Sequence, residues 1–149
     1  MPENIPQSLK AGHEALRATL KRAMREPDRT GEAARKVAAI VDGHFLREEK
    51  HVLPLLGLLP ALARGESGAS VADAAKIYVS LKDEIARMVT DHREMSEALR
   101  QLAAAAEAEG KPEYVAFAEE MIVHAHIEEE VLYPAALVAG LFVQRLRGG

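Results

Sequence analysis

The chain writes one motif twice. His44-Phe45-Leu46-Arg47-Glu48-Glu49, with Pro54 five residues on, returns as His124-Ala125-His126-Ile127-Glu128-Glu129, with Pro134 five residues on. Each copy has a lone histidine upstream: 31 residues separate His13 from His44, and 32 separate His92 from His124. Residues four apart stand on one face of an α-helix, with Cβ atoms about 5–6 Å apart. A fold that uses both copies must therefore point His44 with Glu48, and His124 with Glu128, into its interior. Each half of the chain then offers two imidazoles and one carboxylate, which together make the ligand inventory of a two-metal centre.

The apolar periodicity fits four helices. The first runs from about Gln7 to Arg25, with Leu9, His13, Leu16 and Leu20 on one stripe. The run Glu26-Pro27-Asp28-Arg29-Thr30-Gly31 breaks it. The second starts near Thr30 and carries Val37, Ile40, Val41, His44, Glu48 and His51, with a kink expected at Pro54 and an end or second bend at Pro60. Arg64 to Ser70 reads as the one long loop, with Ser70 suited to cap the next helix. That third helix spans about Val71 to Glu109, with Ile77, Leu81, Ile85, Met88, His92, Met95, Leu99 and Leu102 on its inner face. Gly110-Lys111-Pro112 stops it. The fourth runs from about Pro112 to Val138, with Val115, Ala118, Met121, His124, Glu128 and Val131 as a stripe, and Leu141 to Gly149 is expected to fray. Long helices on short connections predict an all-α, up-down-up-down antiparallel four-helix bundle. It would be one domain, with a core over about residues 7–138 and a C-terminal extension at 139–149.

Composition narrows the chemistry. At 149 residues the chain has single-domain length, and its Ala- and Leu-rich, aromatic-poor interior favours closely packed helices. The absence of cysteine excludes disulfides, thiolate catalysis and thiolate metal sites, so any metal must rest on imidazole and carboxylate. A net charge of −4 is no nucleic-acid footprint, and Lys21, Arg22, Arg25 and Arg29 read as a solvated helix face. No signal-peptide core and no membrane-length apolar run occur, so a cytoplasmic chain with neither nucleic-acid nor membrane partners is expected. The oligomeric state is left open.

A lone histidine on an apolar stripe is more often a hydrogen-bonded core residue than a ligand. Four on four inward stripes, two of them followed by a glutamate that burial would otherwise disfavour, are a different matter. His13, His44, Glu48, His92, His124 and Glu128 are therefore the candidate metal ligands. Two ions need bridging anions to offset their repulsion, and Glu48 and Glu128 with a water-derived oxygen would supply them. Glu49 and Glu129, rotated about 100° from the glutamates before them, are expected to face a neighbouring helix or solvent, or to hydrogen-bond a ligand histidine. His126 points away from His124 and reads as a surface residue. His51 shares the face of His44 and Glu48, and Glu48-x-x-His51 has the form of a di-iron ligand pair. The second copy has Val131 there, which favours a pocket-lining role over ligation. Tyr114 and Tyr133 could supply a phenol, but core packing is the expected role. No Ser-His-Asp arrangement, phosphate loop or nucleophile elbow is present.

At these residues the chain resembles the hemerythrin-like family, the HHE cation-binding domains. The resemblance covers His13 to Pro134. It rests on His13 with Leu16-Arg17, on His44-x-x-x-Glu48-Glu49 with Pro54, on Asp91-His92, and on His124-x-x-x-Glu128-Glu129 with Leu132-Tyr133-Pro134. It implies a non-haem di-iron site, Fe2+ or Fe3+ with an oxo or hydroxo bridge, inside the bundle. His13 and His44 would hold one iron, His92 and His124 the other, and Glu48 and Glu128 would bridge. Oxygen carriers of the family have a further histidine where this chain has Met88, and an aspartate one residue later than Glu128. Without them the two ligand shells are equal. That fits members handling nitric oxide, peroxide or damaged iron centres better than reversible oxygen carriage. The expected ligands are O2, NO or peroxide, in oxidative or nitrosative stress or iron-centre repair. A non-enzymatic oxygen or iron store or sensor is the alternative, a zinc or manganese hydrolase a remote third. The sequence leaves open whether the chain turns over a substrate.

Overall fold

A computed structural model of the chain describes residues 5–66 and 71–148. It contains α1 (Gln7–Met24), α2 (Asp28–His51), the short α3 (Leu53–Leu56) and α4 (Leu59–Ala63), α5 (Val71–Ala108), α6 (Pro112–Ile127), a π-helical turn (Glu128–Leu132) and α7 (Tyr133–Gly148). Among the described residues there is no strand, and no helix is long and apolar enough to cross a membrane. Ser70 lies outside the described residues. Four long helical columns pack together, the fourth being α6, the π turn and α7 end to end.

The hairpins α1–α2 and α5–α6 turn over a few residues each. α2 has no side-chain cap of its own. Instead Glu109, just past the end of α5, accepts hydrogen bonds from the Arg29 and Thr30 amides (3.0 Å each) and from the Thr30 hydroxyl (2.5 Å). Those amides are the unpaired donors that open any helix. One carboxylate thus ties the two hairpins together at this end of the bundle.

Both copies of the repeated proline interrupt a column, in different ways. Pro54 has no amide to bond the Lys50 carbonyl, and α2 stops at His51 before the chain resumes as α3 and α4. Pro134 likewise cannot bond Glu130, and there the column continues through the π turn.

The core is in two apolar clusters. One includes Leu16, Leu20, Val37, Val41, Phe45, Met95, Leu99 and Met121. The other includes Val52, Leu53, Leu55, Tyr78, Leu81, Met88, Tyr133 and Val143. Each fully buried side chain of this size stabilises the fold by about 1.5–3 kcal/mol. The C-terminal extension does not fray at Leu141: α7 runs on to Gly148 and buries Ala139 and Val143. Gly140 permits this contact, since a Cβ there would stand 2.5 Å from Tyr78 Cδ1.

Candidate metal centre

The six candidate residues converge between the two apolar clusters. His13 comes from α1, His44 and Glu48 from α2, His92 from α5, His124 from α6 and Glu128 from the π turn. Each sits on a stripe whose apolar members are buried one turn away: Leu16 beside His13, Val41 beside His44, Met88 and Met95 beside His92, Met121 beside His124. Burial of the stripe carries the polar side chain inward with it. Five of the six side chains are at most 3% exposed, while His124 is 23% exposed.

The donor atoms fall into two groups. His13, Glu48, His124 and Glu128 each bring one ligand atom within 4.8 Å of the others, and so do His44, Glu48, His92 and Glu128. Either group could hold a metal ion. The sequence and the resemblance divide the histidines by half of the chain, His13 with His44 and His92 with His124. The structure corrects this, because each group takes one histidine from each half. The rings meet across the halves: His13 and His124 have centroids 5.6 Å apart, and His44 and His92 4.6 Å. Glu48 and Glu128 belong to both groups.

All four imidazoles turn Nε2 inward. His13 Nε2 is 3.3 Å and His44 Nε2 3.5 Å from Glu48 Oε1, while His92 Nε2 is 2.9 Å from Glu128 Oε1 and His124 Nε2 2.9 Å from Glu128 Oε2. The opposite ring nitrogens are treated unequally. His92 Nδ1 lies 2.8 Å from Glu129 Oε2, and His13 Nδ1 4.0 Å from Glu49 Oε2. Glu49 is drawn off by Arg17, whose Nη2 donates to it at 2.7 Å. Both repeated second glutamates therefore sit behind a histidine of the upstream helix, Glu129 in contact and Glu49 at longer range. His44 Nδ1 lies 3.1 Å from Asp91 Oδ2, a buried carboxylate that also accepts from Arg47 Nη1 at 2.9 Å and Arg87 Nε at 3.3 Å. Sequence reasoning gave Asp91 no role of its own. Its one signal is its place directly before His92, on the α5 edge that α2 covers.

Tyr133 also departs from expectation. Its hydroxyl donates to Glu48 Oε2 at 2.7 Å and lies within 3.4 Å of Glu128 Oε1 and of Nε2 of His44 and His92. In an α-helix, residues five apart sit about 140° apart. The π turn closes with the Tyr133 amide bonded to the Glu128 carbonyl, five residues back, and so swings Tyr133 onto the face of Glu128. The remaining candidates fall outside. His51 is half-buried and in neither group, its pKa lowered by burial. His126 is exposed. Tyr114 donates to Glu26 at 3.3 Å, near the Glu109 end of the bundle, and Met88 is buried in the second apolar cluster.

The electrostatics fit a cation. Burial lowers the His13 pKa, but the Glu128 and Glu48 carboxylates outweigh it and push it up to about 9. The same balance puts His44 at about 10, while burial of His92 is outweighed by Glu128 and Glu129, which raise it. Glu128 is buried, yet its hydrogen-bonding neighbours hold it well below the usual carboxylate range. Burial first, and then the two carboxylates, push the Tyr133 phenol up, so it stays a neutral donor. His44 Nε2 and His92 Nε2 stand 2.9 Å apart, so only one of them can carry a proton between them. Among the described residues, Glu48 Oε1 and His124 Nε2, both facing the cluster, are buried with no partner aligned for a hydrogen bond, and so is His13 Nδ1 on the outer side of its ring. Convergent lone pairs on buried nitrogens and carboxylate oxygens are costly unless a positive charge sits among them. Imidazole with carboxylate suits Fe, Zn or Mn and excludes the thiolate-loving ions.

No family profile, no curated protein and no solved structure matches the chain.

Proposed function

We propose that the chain is a di-iron protein of the hemerythrin-like kind that reacts with O2, NO or peroxide, serving oxidative or nitrosative stress responses or iron-centre repair. The observation that carries this reading is that Glu48 and Glu128 belong to both donor groups. Shared carboxylates are what two neighbouring cations need to offset their repulsion. In this reading His13 and His124 would hold one iron and His44 and His92 the other, with Glu48 and Glu128 available to both. Bound iron would supply one-electron redox chemistry with positions left for a small exogenous ligand.

The chain's own residues perform three tasks. They exclude bulk: with five of six donors nearly fully buried, only small molecules reach the centre. They orient: Phe45 stacks flat on His13, with ring centroids 4.0 Å apart and an interplanar angle of 2°. Asp91 and Glu129 fix the tautomers of His44 and His92, so that Nε2 faces inward as a lone pair. They hold a proton: the Tyr133 hydroxyl sits at the centre, on Glu48. The experiment is to load the purified protein with ferrous iron and record its iron content and visible spectrum after O2, NO and H2O2 in turn. Iron retention with a distinct spectral change for at least one of the three supports the reading. A protein that holds no iron, or whose iron binding survives His44→Ala and His124→Ala together, overturns it.

A further inference from the structure

The two halves of the chain are related residue by residue through the six candidate ligands, and among the places where the relation fails one lies directly behind a ligand imidazole. His13 corresponds to His92, His44 to His124, Glu48 to Glu128 and Glu49 to Glu129. The counterpart of Asp91, the residue before His92, is the residue before His13, which is Gly12. Asp91 backs His44. Among the described residues, the equivalent imidazole, His124, meets a carboxylate only through Nε2, at Glu128.

Three observations agree on what this does. His44 is fully buried, whereas His124 is 23% exposed. Gly12 is exposed and a Cβ built on it meets nothing within 4 Å, so this side has no side chain in the place of Asp91 and room for one. The seam between α2 and α5 is packed along much of its length, while the equivalent seam between α1 and α6 is brief. From this we infer that the two metal positions are unequal: the His13–His124 position is the labile one, reached from solvent between α1 and α6 past Gly12. The inference rests on the proposed two-metal reading and specifies its regulation, namely which ion exchanges and on which side a small ligand arrives. Carboxylates behind a ligand imidazole hold its orientation and raise its basicity, and losing one costs about 10–100-fold in metal affinity.

The test loads the full chain anaerobically with two equivalents of ferrous iron and follows removal by a colorimetric ferrous chelator. One ion should leave at least about tenfold faster than the other. His124→Ala should abolish the fast-leaving ion and His92→Ala the slow one. Gly12→Asp, which installs the missing carboxylate on an exposed helical position, should slow the fast phase, and Asp91→Ala should make the slow phase fast. Loss of both ions in one phase would overturn the inference and leave the two-metal reading standing, as would a fast phase that survives His124→Ala. A chain that takes up no iron would overturn both.

Discussion

The Tyr133 hydroxyl donates to Glu48 Oε2 at 2.7 Å, joining residues 85 positions apart across the middle of the bundle. The bond places the one neutral donor of the cluster on one of the two carboxylates shared by both donor groups. Tyr133→Phe removes it without changing the packed volume and leaves a buried carboxylate oxygen with one partner fewer. The variant should lose about 1–3 kcal/mol of metal-free stability by urea denaturation.

The metal-free protein should be most stable in mildly acidic solution. His13 and His44 have folded-state pKa values of about 9 and about 10 against an ordinary 6.5, with His44 and His92 sharing one proton between them. Their contribution is complete below pH 6.5 and is lost as pH rises through those folded values. Glu128 is depressed, so its contribution is present above its ordinary 4.5 and lost as pH falls toward its folded value. The melting temperature of metal-free protein should therefore peak at about pH 4.5–6.5 and fall steadily toward pH 10. Metal ligands must be neutral imidazoles, so loading should release protons into an unbuffered, dye-monitored solution. A melting temperature that rises between pH 7 and pH 10 would contradict the proton placement.

Glu129 and Glu49 should differ in consequence although they occupy repeated positions. Glu129 contacts His92 Nδ1 at 2.8 Å, whereas Glu49 stands 4.0 Å from His13 Nδ1 and is held by Arg17. Glu129→Ala should weaken metal binding about 10–100-fold in a chelator competition, and Glu49→Ala should weaken it less. Equal effects would mean that the Arg17 pair matters as much as direct contact.

Phe45 is fully buried and lies flat against His13. Phe45→Ala should cost about 3–5 kcal/mol in chemical denaturation through the cavity it leaves. The metal-loaded form should show the larger loss, because His13 then also gains freedom to turn.

Much of this was legible in the sequence, because burial and periodicity say the same thing along each stripe. Leu16, Val41, Met95 and Met121 carry His13, His44, His92 and His124 inward. The i, i+4 spacing fixes Glu48 and Glu128 beside their histidines. What the sequence hid depends on contacts between helices. The grouping of His13 with His124 follows from how the side chains of opposite halves meet inside the bundle, which a repeat along the chain does not encode. Asp91 earns its place only when α2 brings His44 and Arg47 against it. Tyr133 needs a π turn, and the i→i+5 bond that forms one has no composition signal beyond the nearby Pro134. The helical course of α7 depends on Gly140 meeting Tyr78, a long-range fit that its local composition does not announce.

The most direct measurement is the iron content of wild-type, Glu48→Ala and Glu128→Ala protein after anaerobic reconstitution and desalting, with folding verified by circular dichroism. Because each carboxylate serves both donor groups, the expected result is two ions per chain in the wild type and loss of both in either variant. One ion per chain in the wild type, or a folded glutamate variant that still holds two, would contradict the shared-carboxylate centre.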